Sequence, residues 1–413
     1  MRETLQMRPS DIIISMIRKQ KVSVLIVGGG FGGTKAALQL ANDPRFAVTL
    51  LSNDADLRYY NTFYRTATGG NRANSSIPLI DIFAAKEVTL ARGTVTALDR
   101  KAKIITTAEG IVYAYDALVL GLGVVTNYFG IPGLADYSYS IKSLAEAERF
   151  KEHLHQQLID DRLPDLNYVI VGAGPTGIEL AGALPLYLRR IMKLHGIKHR
   201  AIHVDLIEAA PRLLPNLPKD ASRMVRRQLK RSGVKVYVNS VVQGQTPDNL
   251  TVNGKPIRSH TVVWTAGVTN HPFFGNNHFA LMGRGKVGVD TYLQTEENIF
   301  VIGDNANTPY SGLAQTALLD GTFVAKNLQR RASGKTMKSY NAKRPVTVIP
   351  AGAHWAAVVY GGLRIYGWLG WVLREAADLV SYHEYEPWQK AMRQYMTGFD
   401  DQDNCQICAP VIS

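Results

Sequence analysis

A chain of 413 residues with 46 % hydrophobic and 20 % charged residues has material for two or three cored domains, which excludes a disordered or low-complexity protein. Its formal net charge of +13 suits anionic partners, and lipid, nucleic acid and anionic cofactors all satisfy that sign. The only two cysteines, Cys405 and Cys408, lie near the C-terminus, so a disulfide framework is excluded, and their C-x-x-C spacing has no second half to complete a metal site.

Residues 1–21 read as an N-terminal extension. The run Asp11 to Ile17 is short, carries an acid and lacks a small-residue cleavage site, so a secretory signal is not expected. Val22 to Val27 is nearly all apolar, as a strand buried on both faces of a parallel sheet should be. It runs into Gly28-Gly29-Gly30-Phe31-Gly32-Gly33, then a helix from Thr34 to Ala41 and a strand from Ala47 to Leu51. The same grammar returns at Tyr168 to Val171, followed by Gly172-Ala173-Gly174-Pro175-Thr176-Gly177, a helix, and a strand from His203 to Glu208. Asp116 to Gly121, Thr261 to Gly267 and Ile299 to Asp304 read as further buried strands ending in glycine or acid.

Two G-x-G-x-x-G motifs between strand and helix predict two dinucleotide folds. Glycines turn the chain and admit a diphosphate to the helix N-terminus, where unpaired N–H groups and the helix dipole favour negative charge. The strand-end acid Glu208 should accept from a ribose 2′-hydroxyl and repel a 2′-phosphate, which predicts NADH over NADPH. In the first unit Ser52 stands where such an acid is expected, with Asn53 and Asp54 beside it.

The order of the two glycine motifs, then Thr295 to Asp304, resembles the pyridine-nucleotide-linked flavoprotein reductases. Within them, Asn61 to Gly70, Gly174 to Gly182, Trp264 to Val268 and Ala314-Gln315-Thr316-Ala317 are similar to type II NADH dehydrogenases, single-subunit NADH:quinone reductases. The resemblance implies an α/β fold with two Rossmann-like domains and a C-terminal aromatic-rich amphipathic helical segment. It implies FAD held by Gly28, Gly30, Phe31, Gly32, Gly33, Ser52, Val95, Gly303, Asp304, Ala314 and Gln315. NADH would lie on Gly172, Gly174, Pro175, Thr176, Gly177, Glu179, Glu208 and Gly267. Glu179 and Gln315 are the implied catalytic residues, and Gln315, Leu319 and Tyr310 the implied quinone contacts; no metal is implied.

The expected domains are 22–140 and 269–345 for FAD, 141–268 for NADH, and 346–413 for membrane association or dimerisation. Three departures from the family pattern stand out: Leu319 in place of a second glutamine, Asp320 after it, and Gly121-Leu122-Gly123 in place of an Ala-Thr-Gly turn. They leave open another electron acceptor. Disulfide and sulfide:quinone reductases of this fold need cysteines beside the flavin, and here thiols occur only in the tail. A second class of function also stays open, a redox-sensing flavoprotein of apoptosis-inducing-factor type whose basic stretch Arg189 to Lys235 engages a polyanion; nucleic acid is otherwise not an expected partner.

No window of eighteen uncharged apolar residues occurs, so no membrane-spanning helix is expected. From Trp368, the positions Leu369, Val372, Leu373, Ala376, Leu379 and Val380 recur at helical spacing, and a second stripe runs through Tyr385, Trp388, Met392, Tyr395, Met396 and Phe399. These stripes suit either a core or dimer face or a helix lying in lipid headgroups. With the resemblance, they predict a homodimer attached peripherally to an anionic membrane surface, on the cytoplasmic face, where a membrane quinone is met.

Overall fold

The computed structural model describes residues 21–159, 167–198 and 200–399. The expected N-terminal extension, up to residue 20, and the Cys405–Cys408 pair lie outside the described residues. The described residues form two compact units, each assembled from three stretches: 21–55, 79–123 and 271–341 in the first, and 56–78, 124–270 and 342–399 in the second.

The first unit is built on a six-stranded sheet in the order Gln294–Glu296, Ile299–Val301, Ala117–Leu120, Val22–Val27, Phe46–Ser52, Val88–Arg92. All its pairings are parallel except the edge pair Gln294–Glu296 with Ile299–Val301. The buried run Ala117-Leu118-Val119-Leu120 has no polar alternation because both faces of the sheet are covered. Val22–Val27 pairs with Phe46–Ser52 on one side and Ala117–Leu120 on the other. The connections diverge at its C-terminal end, the crevice where open α/β sheets receive ligands. Helix Phe31–Leu40 starts there, and it packs against helix Ala314–Ala332 through glycine: a Cβ on Gly321 would stand 2.2 Å from the carbonyl oxygen of Gly32.

The second unit repeats the plan with four parallel strands in the order Val234–Tyr237, His203–Ile207, Asn167–Val171, Thr261–Trp264. Its first strand, Asn167–Val171, is again central, and helix Pro175–Leu194 leaves from its end. Tyr168, Ile170, Leu180, Leu184 and Leu206 are fully buried around it. The tail adds an antiparallel sheet of Thr347–Pro350, Ala356–Tyr360 and Leu363–Gly367, followed by helices Trp368–His383 and Trp388–Met396.

Helix Trp368–His383 is inside out. Its buried residues are Gly370, Arg374, Glu375, Asp378 and Tyr382, whereas Trp368, Leu369, Leu373 and Val380 are exposed, Trp368 at 66 %. The apolar stripe read in the sequence is therefore not core of this chain. The second stripe divides: Tyr385 is buried, and Trp388, Met392 and Met396 are exposed.

Candidate functional site

Each glycine motif sets up a cradle by the same division of labour. Gly28 has φ +110°, and a Cβ there would lie 2.2 Å from the Gly121 carbonyl oxygen; Gly33 would drive its Cβ to 2.0 Å from the Gly28 oxygen. These two glycines allow the tight turn and the close helix–strand approach. Gly30 is different. It has φ −79°, and a Cβ built on it meets no heavy atom within 4 Å. In the second motif Gly172, at φ +105°, would place a Cβ 2.6 Å from the Ala266 Cα, and Gly177 one at 1.9 Å from the Gly172 oxygen, while Gly174 meets nothing.

Nothing in the chain itself demands glycine at Gly30 or Gly174. Each is the N-cap of a helix that has no side-chain cap and no acid in its first turn. Helix N-termini without a side-chain cap that open onto space fit the diphosphate of a bound dinucleotide.

In the first unit Ser52 is buried at the strand end, and its Oγ accepts from the Asp54 N–H at 3.1 Å. Val95 is buried in the apolar cluster with Leu25, Val27 and Leu51. Gly303, with φ +66°, opens the turn Gly303–Asn305 that carries Asp304, and this turn is tied on several sides. The Gly303 N–H donates to Asp320 Oδ2 at 3.0 Å, Ser311 Oγ donates to the Gly303 carbonyl at 2.9 Å, and Asn305 exchanges two hydrogen bonds with Gly123 at 2.6 and 2.9 Å. Burial pushes the Asp320 carboxyl up to about 6, against the opposing pull of its bonds from Tyr340 and Gly303. Ala314 and Gln315 begin helix Ala314–Ala332; Gln315 is exposed, Leu319 half-buried, and Tyr310 exposed in the left-handed region at φ +64°. The Thr316 hydroxyl donates to the Tyr310 carbonyl at 2.9 Å, which joins the Tyr310 loop to that helix.

In the second unit both Glu208 oxygens receive backbone N–H groups, from Ala173 at 2.7 Å and Ala210 at 2.8 Å, so the carboxylate is fixed against the glycine loop. The Thr265 hydroxyl donates to Val171 and Gly172 carbonyls at 2.8 and 3.0 Å, and the Gly267 carbonyl accepts from the Asn127 N–H at 3.2 Å.

Glu179 lies one turn deeper than a helix-capping acid would. The helix begins at Pro175, and its first turn carries no acid. A role for Glu179 in neutralising the helix dipole is therefore excluded by position. Its side chain instead opens on a cleft of about 240 Å3 lined by Tyr64, Thr68, Ala183, Tyr187, Arg190 and Pro350, among others. Two glycines shape this cleft: a Cβ at Gly182 would lie 2.3 Å from the Gly352 N, and one at Gly69 would lie 2.5 Å from the Tyr187 ring, so only glycine allows either approach. Burial pushes the Glu179 carboxyl up to about 8, outweighing Arg374 and Arg65, while Asp378 adds to the rise. The carboxyl is thus protonated at neutral pH, a group able to give a proton.

Beneath it lies a charge network that sequence reading missed. Arg65 Nη2 donates to Glu375 Oε1 at 2.8 Å and stands 3.4 Å from Asp378 Oδ2; Arg374 pairs with Asp378 and donates to the Asn61 carbonyl at 3.0 Å. Arg65 Nε donates to the Tyr64 hydroxyl at 3.0 Å, which links the network to the cleft wall. Its only sequence signal is the polar face of the tail helix.

The pyridine nucleotide-disulphide oxidoreductase model matches residues 22–321. The chain belongs to that family. Two curated relatives are named type II NADH:quinone oxidoreductase. One, from Staphylococcus saprophyticus, is 27 % identical over 371 residues, 83 % of this oxidoreductase and 91 % of the relative. The other, from Staphylococcus aureus, is 28 % identical over 361 residues, 81 % and 89 % of the two chains. Among solved structures, NDH2 of Plasmodium falciparum in complex with NADH aligns with a TM-score of 0.83 at 15 % identity, covering 94 % of this oxidoreductase and 99 % of that chain. The sulfide:quinone oxidoreductase of Aquifex aeolicus aligns at 0.75 and 18 % identity, covering 94 % and 95 %. The fold and the family are thereby those expected from the sequence.

Proposed function

We propose that this oxidoreductase takes electrons from NADH through FAD and delivers them to a quinone, as the names of its staphylococcal relatives state for those proteins. The observation that carries the reading is the pair of cradles at Gly30 and Gly174, each at a helix N-terminus without a side-chain cap and with open space where a Cβ would stand. FAD belongs in the first unit, with Asp304 on its braced turn, and NADH in the second, where Glu208 selects the ribose 2′-hydroxyl. Bound FAD supplies the ring that accepts a hydride and releases electrons to the acceptor.

The chain's own residues position the partners and handle protons. Glu179 holds a proton at neutral pH and serves the proton balance of the reaction; Gln315 offers its amide, with Leu319 and Tyr310, to the quinone. Thiol chemistry has no support, because no cysteine precedes Cys405.

No described helix is long and apolar enough to cross a membrane. The exposed face of Trp368, Leu369, Leu373 and Val380 supports peripheral attachment, because such a face costs free energy in water and is stabilised in the headgroup region. On this reading the oxidoreductase sits on the cytoplasmic face of an anionic membrane as a homodimer, and reduces the quinone dissolved there.

Anaerobic titration of the purified protein with NADH tests the proposal. Absorbance near about 450 nm, where oxidised flavins absorb, should bleach with NADH and return on adding a quinone but not a disulfide. A colourless protein that stays colourless with added FAD would overturn it.

A further inference from the structure

Helix Lys219–Arg231 carries the sequence KDASRMVRRQLKR. Its inner stripe of Ala221, Ser222, Val225 and Leu229 is buried, and Lys219, Arg223, Arg226, Arg227, Lys230 and Arg231 are exposed. Among the described residues none of these six cations has an ion-pair partner. The one acid of the helix, Asp220, is already engaged: its Oδ2 lies 2.9 Å from Arg364 Nε and accepts from the Tyr366 hydroxyl at 2.9 Å. Six uncompensated charges over roughly 20 Å of helix repel one another, a cost that a counter-surface would relieve.

The position of this helix selects the counter-surface. Asp220 anchors its first turn to the strand Leu363–Gly367, and at its C-cap Ser232 Oγ lies 3.0 Å from a Cβ built on Gly352, which precedes the strand Ala356–Tyr360. The helix is thus fastened to the tail sheet at both ends. Arg364, which makes the first contact, follows Leu363, exposed at 57 %, and Leu363 pairs with exposed Tyr360 at the hairpin tip. Four residues beyond Arg364 the exposed apolar face of helix Trp368–His383 begins. The cationic helix and the apolar helix therefore pack on the same tail sheet. A polyanion in solution has use for the first alone, whereas a bilayer with anionic headgroups has use for both.

We propose that the exposed face of helix Lys219–Arg231 binds anionic lipid headgroups beside the apolar tail surface, giving the attachment its selectivity for negatively charged membranes. The inference rests on the peripheral attachment proposed above. It supplies the electrostatic attraction that the tail, with its mixed charges, does not.

The test uses the full-length, flavin-loaded protein sedimented with phosphatidylcholine vesicles with or without phosphatidylglycerol. The wild type should bind the anionic vesicles at least about tenfold more tightly, each basic side chain near the surface adding to the affinity, and raised salt should abolish the difference. Arg223→Glu/Arg226→Glu/Lys230→Glu should lose the preference while binding neutral vesicles as before and keeping NADH:ferricyanide turnover. A Gln version of the same triple should show a smaller loss, and it covers the case that the Glu version does not fold.

Equal binding of both vesicles by the wild type, or an unchanged preference in both variants, would overturn the inference and leave peripheral attachment standing. Binding to neither vesicle would sink the attachment reading as well. Tighter binding of duplex DNA than of anionic vesicles, lost in the same variants, would assign the face to a soluble polyanion instead.

Discussion

Glu179, which the resemblance implies is catalytic, sits one turn into its helix. The motif places a carboxyl near the diphosphate cradle, but Pro175 starts the helix, so the side chain enters the cleft and keeps its proton to a pH of about 8. A carboxyl that binds its proton more tightly folded than unfolded removes stability as pH rises from the ordinary value of 4.5 through 8. Glu179→Gln keeps the neutral form, so its stability relative to wild type should improve by at least about 1 kcal/mol between about pH 6 and pH 9, read by thermal unfolding. The wild-type rate should fall as pH passes about 8, and the same variant should slow quinone turnover on the order of 100-fold and flatten that fall. Asp320 makes a second case. Asp320→Ala leaves the Gly303 N–H without its acceptor and should weaken FAD binding to the apoprotein by about 1–3 kcal/mol, read by flavin fluorescence. Asp320→Asn retains an acceptor and should bind FAD nearly as well.

Helix Trp368–His383 shows what a periodic pattern can and cannot tell. Spacing alone identifies an element with one apolar and one charged face, and the usual inference puts the apolar face inward. Here Arg374 and Asp378 pair inside, with Arg65 reaching them from the far end of the chain. The Arg374–Asp378 pair is local, four residues apart, but the Arg65 contacts leave no local trace, because Arg65 lies some three hundred residues from Glu375 and Asp378. Buried parallel strands, by contrast, are legible as unbroken apolar runs, since their burial depends on no particular distant residue. The two faces should respond oppositely. Arg374→Ala leaves the buried Asp378 charge with Arg65 alone, 3.4 Å away, and should cost about 3 kcal/mol. Trp368→Ser and Leu369→Ser together should stay within about 1 kcal/mol in thermal or denaturant unfolding, yet release the protein from lipid vesicles.

Across the whole molecule one local design is used twice, in two units that each gather distant stretches of chain around a central strand. Each unit turns on a glycine whose Cβ would touch no protein atom, so alanine at Gly30 or Gly174 tests the ligand and leaves the fold unchanged. Both positions have negative φ, −79° and −74°, and alanine adopts them without strain. The two lesions should therefore separate. Gly30→Ala should yield a folded but pale protein, with FAD affinity reduced at least about tenfold by a methyl group set against the diphosphate. Gly174→Ala should stay yellow, with the KM for NADH raised by a similar factor and reduction by dithionite unchanged. If Gly174→Ala lost its colour and Gly30→Ala kept it, the assignment of the two nucleotides to the two units would have to be exchanged.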